Sequence, residues 1–177
     1  MKLNAKQLRE INPVDIQDHA KNMQRRPMYF ILENIYDTYN IGGLFRLADA
    51  LAISKMYICG ETEIPPNHKI VKASVGTYKV VPWEYKKTAA EAIEELRKQQ
   101  ENTKIFAVEQ SEKSIPYQNA NYTGPVGLVL GNETYGVLPE TMEMAYQTVE
   151  IAMWGINKSL NVIVSAAIVS YFIATKE

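Results

Sequence analysis

The chain predicts an α/β fold, a mostly parallel sheet with helices on both faces. Three observations carry that expectation. Strand-like and helix-like stretches alternate along the whole length. The strand-like stretches are continuous apolar runs, such as Met28 to Leu32 and Val126 to Leu130, rather than the alternating pattern of a half-exposed strand. Polar, glycine-containing segments then follow three of the strands, at the carboxyl ends where parallel sheets collect their ligands.

Residues 5–26 read as a polar helical arm with Leu8, Ile11, Val14 and Ile16 as its few apolar contacts. Pro13 marks a break or a helix start within it. Met28 to Leu32 is the first strand, and Glu33 to Asn40 is a loop. The spacing of Leu44, Leu47, Ala48 and Leu51 predicts a helix over Gly42 to Ala52, with Arg46 off its apolar stripe. Lys55 to Cys59 is the second strand, closed by Gly60. Pro65-Pro66 forces a loop, and His68 to Lys87 mixes short helix, loop and strand. Thr88-Ala-Ala-Glu91 is a capping box for a helix reaching Gln100. Thr103 to Val108 and Val126 to Leu130 are the next strands, Leu138 to Tyr146 a short helix, and Thr148 to Ile151 the fifth strand.

The stretch from Ile151 to Ile173 organises the rest. It leaves the last strand, breaks at Gly155, presents Asn157, Lys158 and Ser159, and continues as a helix apolar on nearly every face. Such a helix must be buried within the domain or against another subunit. It is too short, and too polar at its start, to span a membrane. Ser159 is the expected N-cap. Asn161, one turn inside, then needs hydrogen-bond partners, because a buried amide costs free energy unless satisfied.

The 177 residues fit one domain, divided into an N-terminal basic helical arm (1–26) and a body (27–177). One cysteine rules out an internal disulfide framework, and two histidines beside it argue against a zinc site or any other metal. The start lacks the apolar run of a signal peptide, so the expectation is a cytoplasmic protein with no membrane partner. Net charge is −1, which on average disfavours nucleic acid, yet the charge is unevenly spread. Residues 1–26 are net positive through Lys2, Lys6, Arg9, Lys21, Arg25 and Arg26. Residues 68–88 are net positive through Lys69, Lys72, Lys79, Lys86 and Lys87. These two segments could build a phosphate-facing surface, and charge alone equally fits solvated lysines on loops and helix faces.

Three polar segments are candidates for a site: Asn40 to Arg46, Gly131 to Gly136, and Met153 to Asn161. None matches a P-loop or a dinucleotide fingerprint. Singly, each also reads as a helix cap, turn glycines or a surface arginine. Together and in order they resemble the three motifs of the SPOUT methyltransferases, TrmH (SpoU) branch. Asn40, Gly42 and Arg46 meet the first motif, and Gly131, Glu133 and Gly136 after an apolar strand meet the second. Ile151, Met153, Gly155, Ser159, Leu160, Asn161 and Val162 meet the third. The resemblance spans about residues 28–173. Ala152 replaces the usual proline, and Ile163 and Ser165 depart from the usual Ser-Val-Ala run, changes that bear mainly on helix packing.

The resemblance implies a C-terminal deep trefoil knot, a homodimer, and S-adenosyl-L-methionine as cofactor. The implied reaction is methyl transfer to a ribose 2′-hydroxyl of tRNA or rRNA. By similarity Arg46 takes the hydroxyl proton, although a guanidinium that only clamps phosphate stays open beside that role. Ser159 and Asn161 orient the hydroxyl or Arg46, and Asn40 braces the first loop. Leu130, Gly131, Gly136, Ile151, Met153 and Leu160 hold the cofactor, with Glu133 bracing the second loop through backbone N–H groups. Arg25, Arg26, Lys69, Lys72, Lys79, Lys86 and Lys87 are the RNA-contacting candidates. Three alternatives remain at this point. They are a non-catalytic RNA-binding relative, a flavodoxin-like nucleotide enzyme (which the glycine-free Glu33 to Asn40 loop disfavours), and methylation of a base.

Overall fold

Seven strands, paired in parallel throughout, form one sheet among residues 2–176, the part of the chain that this computed structural model describes, the side chains at positions 13 and 17–19 excepted. They are β1 (Arg26–Glu33), β2 (Ile53–Cys59), β3 (Trp83–Lys86), β4 (Lys104–Val108), β5 (Ile115–Pro116), β6 (Val126–Leu130) and β7 (Gln147–Glu150). The spatial order is β3-β2-β1-β6-β4-β7-β5. The helices are α1 (Ala5–Glu10), α2 (Pro13–Lys21), α3 (Thr38–Ala50), α4 (His68–Ser74), α5 (Ala89–Gln99), α6 (Pro139–Met144) and α7 (Val162–Ala174).

The continuous apolar strands have the expected cause. Along each, successive side chains enter opposite cores. Phe30, Leu32, Met56, Ile58, Phe106, Leu128 and Leu130 face α3, α4 and α7. Ile31, Tyr57, Cys59, Ile105, Ala107 and Val129 face α5, with α6 beside it. A one-residue slip would exchange the two sets, so burial on both faces fixes the register.

Several boundaries differ from the sequence expectation, each for a local reason. The arm is two helices, because Ile11 is extended and Asn12 caps the second by accepting from the Val14 N–H. Pro13 is thus a helix start. α3 begins at Thr38, not Gly42: Asp37 accepts from the Tyr39 N–H at 2.8 Å, and this cap carries the helix through the two glycines. Thr88 caps α5 as expected, but Glu91 reaches the Lys87 N–H rather than closing a box on Thr88. Ser159 is not the N-cap of the last helix. Asn161 is, accepting from the Ile163 N–H at 2.8 Å, so it lies at the mouth of α7 and not inside it.

α7 folds back against α3 and β6, burying Val162, Ala166, Val169 and Ile173. Its other face leaves Val164 and Tyr171 exposed. No described helix is long and apolar enough to cross a membrane.

Candidate functional site

In the sheet, β1 continues on one side to β2 and β3, while its other neighbour is β6, placed between β1 and β4. The chain order reverses at β1/β6, and in parallel sheets such a switch point opens a crevice at the strand carboxyl ends. The three polar segments follow β1, β6 and β7 and so meet there. The second and third of them line a cavity of about 440 Å3 through Leu130, Gly131, Glu133, Gly136, Ile151, Met153, Ser159, Leu160 and Asn161, all named from the sequence.

The loop after β6 is a tight turn. Asn132 and Gly136 exchange backbone hydrogen bonds at 3.0 and 2.9 Å, and the Asn132 carboxamide oxygen accepts from the Thr134 and Tyr135 N–H groups. Gly136 has φ +71°, a conformation that costs an L side chain energy. Gly131 lies so close to the Gly136 carbonyl and the Val137 nitrogen that a Cβ there would overlap both. These two glycines let the turn fold flat over the strand end. The Asn132 amide nitrogen donates to the Asn34 carbonyl at 2.7 Å, tying the turn to the end of β1.

One hydrogen-bond relay joins all three segments. The Glu133 carboxylate accepts from the Tyr36 and Asp37 N–H groups, both at 3.3 Å, and from Asn40 Nδ2 at 2.9 Å. Asn40 Oδ1 accepts from Asn161 Nδ2 at 3.0 Å. Asn161 Oδ1 in turn caps α7. Glu133 therefore braces through backbone N–H groups, but those of the loop leading into the first segment rather than its own. Asn40, only 5% exposed, stands behind the cavity as the central link. Arg46 is exposed on α3, is not among the cavity's lining residues, and its guanidinium has no partner among the described residues.

Asn132 and Lys158 of the candidate segments also line the wall, and groups that sequence reasoning missed complete it: Glu109, Gln110 and Glu150. Glu109 accepts from the Val137 N–H at 3.0 Å, and Gln110 Nε2 donates to the Lys158 carbonyl at 2.9 Å, holding the third segment against the end of β4. Glu109 and Gln110 directly follow β4, so the strand-end rule that selected the other segments could have found them. Beneath the turn, buried Glu33 accepts from the Leu138 N–H at 2.8 Å and the Thr141 hydroxyl at 2.5 Å. Burial raises its pKa above the ordinary 4.5, and those two hydrogen bonds oppose the rise. Among the described residues no group of three or more His, Cys, Asp or Glu side chains could hold a metal.

The basic candidates divide. Lys69, Lys72 and Lys87 are exposed. Arg25 is engaged internally, donating to the Ile53 carbonyl at 3.0 Å and the Val80 carbonyl at 2.8 Å, so it clamps β2 to the turn before β3. Lys86 is held between Glu84 and Glu95, which raise its pKa. Neither side chain is presented to a phosphate. Lys79 donates to the Arg9 carbonyl at 3.1 Å, and Arg26 is half-buried at the start of β1 and already bonded.

Comparison with known proteins agrees with this layout. The 23S rRNA (guanosine-2′-O-)-methyltransferase of Neisseria meningitidis is 29% identical over 158 residues, 89% of this chain and 62% of that protein. The tRNA (guanosine(18)-2′-O)-methyltransferase of Thermus thermophilus is 27% identical over 150 residues, 84% of this chain and 75% of that one. The AdoMet-bound crystal structure of an rRNA methyltransferase from Sinorhizobium meliloti superposes with a TM-score of 0.78 at 26% identity, covering 96% of this chain and 60% of that chain. The chain thus spans less than two thirds of the first and third of these. Residues 27–171, which contain the whole sheet except its first position and all three joined segments, match the SpoU rRNA Methylase family, and to that family the chain belongs.

Proposed function

We propose that the chain is an S-adenosylmethionine-dependent RNA methyltransferase that modifies a ribose 2′-hydroxyl of tRNA or rRNA. The relay Glu133–Asn40–Asn161 carries the reading, because through Asn40 it ties together the two segments that line a cavity of cofactor size and anchors both to the helix that carries Arg46. Residues 27–177 act as the catalytic body, with residues 1–26 as an RNA-facing arm. Membership of the family supports a C-terminal trefoil knot.

The cavity fits the cofactor chemically. Leu130, Ile151 and Val162 give it an apolar floor, Glu109 and Glu150 place carboxylates near a cationic ligand, and Lys158 adds a cation on the same wall. When bound, S-adenosylmethionine supplies an electrophilic methyl group on a sulfonium centre. The chain's own groups do the rest. Leu130, Gly131, Ile151, Met153 and Leu160 hold the ligand, and Gly136 and Glu133 fix the turn that covers it. A ribose hydroxyl is a weak nucleophile until its proton leaves, so a positioned acceptor matters. Arg46, exposed and unpartnered, meets the target nucleotide, with Ser159 and Asn161 orienting the hydroxyl and Asn40 holding Asn161. Orientation supplies much of the acceleration. Lys69, Lys72 and Lys87 contact RNA phosphates.

The functional unit is a homodimer in this reading. α7 buries one face on α3 and β6 but leaves Val164 and Tyr171 bare, while Trp154 and Ile156 of the third segment stand almost fully in solvent. A second copy covering these groups would complete the site's outer wall.

The test is calorimetric titration with S-adenosylmethionine, followed by tritiated methyl transfer into unmodified tRNA and rRNA and alkaline hydrolysis. Label in alkali-resistant dinucleotides is the expected result, since a methylated 2′-oxygen cannot attack the neighbouring phosphate. Label in mononucleotides would show base methylation, and RNA binding without cofactor binding would show a non-catalytic relative.

A further inference from the structure

A second cavity lies apart from the site just described, and we infer that it binds single-stranded RNA, taking backbone phosphates on a basic rim and one unpaired nucleotide against an apolar wall. The inference rests on the preceding reading only in taking RNA as the substrate. The cavity measures about 420 Å3 and opens between the end of α1, α4 and the turn Thr77–Lys79. That volume lies within the roughly 300–1,000 Å3 of small-ligand pockets, more than a lone phosphate needs. Arg9, His68, Lys72 and Lys79 line it, with Tyr78 and Val71 as apolar walls.

Its charge is one-sided. Among the described residues no carboxylate lines it, although the whole chain carries a net charge of −1. Arg9, His68 and Lys72 are exposed, and their side chains make no hydrogen bond or ion pair among the described residues. The docked arm supplies one side of the cavity through Arg9. Lys79 Nζ donates to the Arg9 carbonyl at 3.1 Å, and Gly76 lets the Leu8 carbonyl approach where a Cβ would meet it at 2.6 Å. α2 packs on the same turn and buries Ile16. The docked arm thus brings Arg9 opposite Lys72, pairing the two basic segments that the sequence keeps far apart.

Cations around an aromatic wall are the arrangement with which proteins hold single strands: charge tracks the backbone and a ring accepts a base. The position suits the reaction. α4 packs on α3, the helix that carries Arg46, so RNA delivering its ribose to Arg46 can run across α4 into the cavity.

The test measures fluorescence anisotropy of a short labelled single-stranded oligoribonucleotide against the full chain, its Arg9→Ala/Lys72→Ala variant, and a Lys98→Ala/Lys113→Ala variant that removes equal charge elsewhere. Each phosphate contact on a single strand adds about 0.7 to the salt slope, so at about 0.1 M salt each lost contact weakens binding about fivefold. The first variant should bind about 25-fold more weakly with a slope shallower by about 1.4, and the second should match wild type. An abasic oligonucleotide of the same length should bind the wild type several-fold more weakly. S-adenosylmethionine affinity should be equal in all three proteins. Equal RNA binding by the wild type and Arg9→Ala/Lys72→Ala, or tighter binding of labelled polyglutamate than of RNA, overturns the inference while leaving methyl transfer by the wild type intact. RNA binding absent from the wild type would also overturn the inference, and methyl transfer into tRNA and rRNA decides the preceding reading separately.

Discussion

Replacing Asn40 by alanine should loosen the whole site from a position that does not line it. The side chain is 5% exposed, donates to Glu133 at 2.9 Å and accepts from Asn161 at 3.0 Å. A hydrogen bond to a charged group contributes about 1.5–3 kcal/mol and a neutral one about 0.5–1.5. Glu133 is exposed and keeps the Tyr36 and Asp37 N–H groups, so water replaces part of its loss and the lower ends apply. The sum is about 2 kcal/mol. For a chain of this size that lowers the melting temperature by about 4–8 °C, less a small gain from alanine's helix propensity. The same ~2 kcal/mol, lost from the organisation of the cavity wall, weakens S-adenosylmethionine binding about 30-fold. Asn40→Asp is the sharper probe: it has nearly the same shape but sets a second carboxylate against Glu133, and it should be worse than alanine in both calorimetric titration and thermal melting. Wild-type affinity and melting temperature in both variants would refute the relay.

Gly136→Ala should cost at least ~1–2 kcal/mol for the left-handed backbone alone, and more because the new Cβ meets the Glu109 carboxylate; scanning calorimetry reads the loss. Arg25→Ala should lose about 2 kcal/mol of stability in urea titration while leaving RNA affinity unchanged, since its two bonds go to backbone carbonyls of the fold. The raised pKa of Glu33 sets a pH dependence. The folded state holds that proton more tightly than the unfolded state, so Glu33 lowers stability as pH rises from 4.5 through its folded pKa. The stability difference between Glu33→Gln and wild type should therefore move in the variant's favour across that window and be flat below it, as urea titrations at a series of pH values would show.

The parallel sheet was legible because each central strand is buried on both faces, and such strands need apolar residues at every position. The three segments were legible because glycine and asparagine chemistry clusters at strand ends. The helix starts moved, α3 from Gly42 to Thr38 and the cap of α7 from Ser159 to Asn161, because Asp37 and Asn161 are the side chains that the folded backbone brings to the first-turn N–H groups. The two-residue β5 carries too little pattern to see. Arg25 and Lys86 have internal partners that the sequence did not show, because charge in a sequence does not reveal which cations find them. The relay itself links residues 93 and 121 positions apart, a separation no local pattern reports.

The place of β6 has a consequence for synthesis. It is the sixth strand made and the middle one in the sheet, with β1 on one side and β4 on the other. While the ribosome is still short of Val126, β1 and β4 each present a bare apolar edge of the kind that invites foreign strands. The β1-β2-β3 half-sheet and the lone strand β4, whose other neighbour β7 is made later still, must then wait, open, for a five-residue strand that closes the gap between them. Folding that depends on so distant a partner is slow, and its hazard is greatest just before completion. The nascent chain should thus depend most on chaperone protection between the emergence of β4 and the arrival of β6.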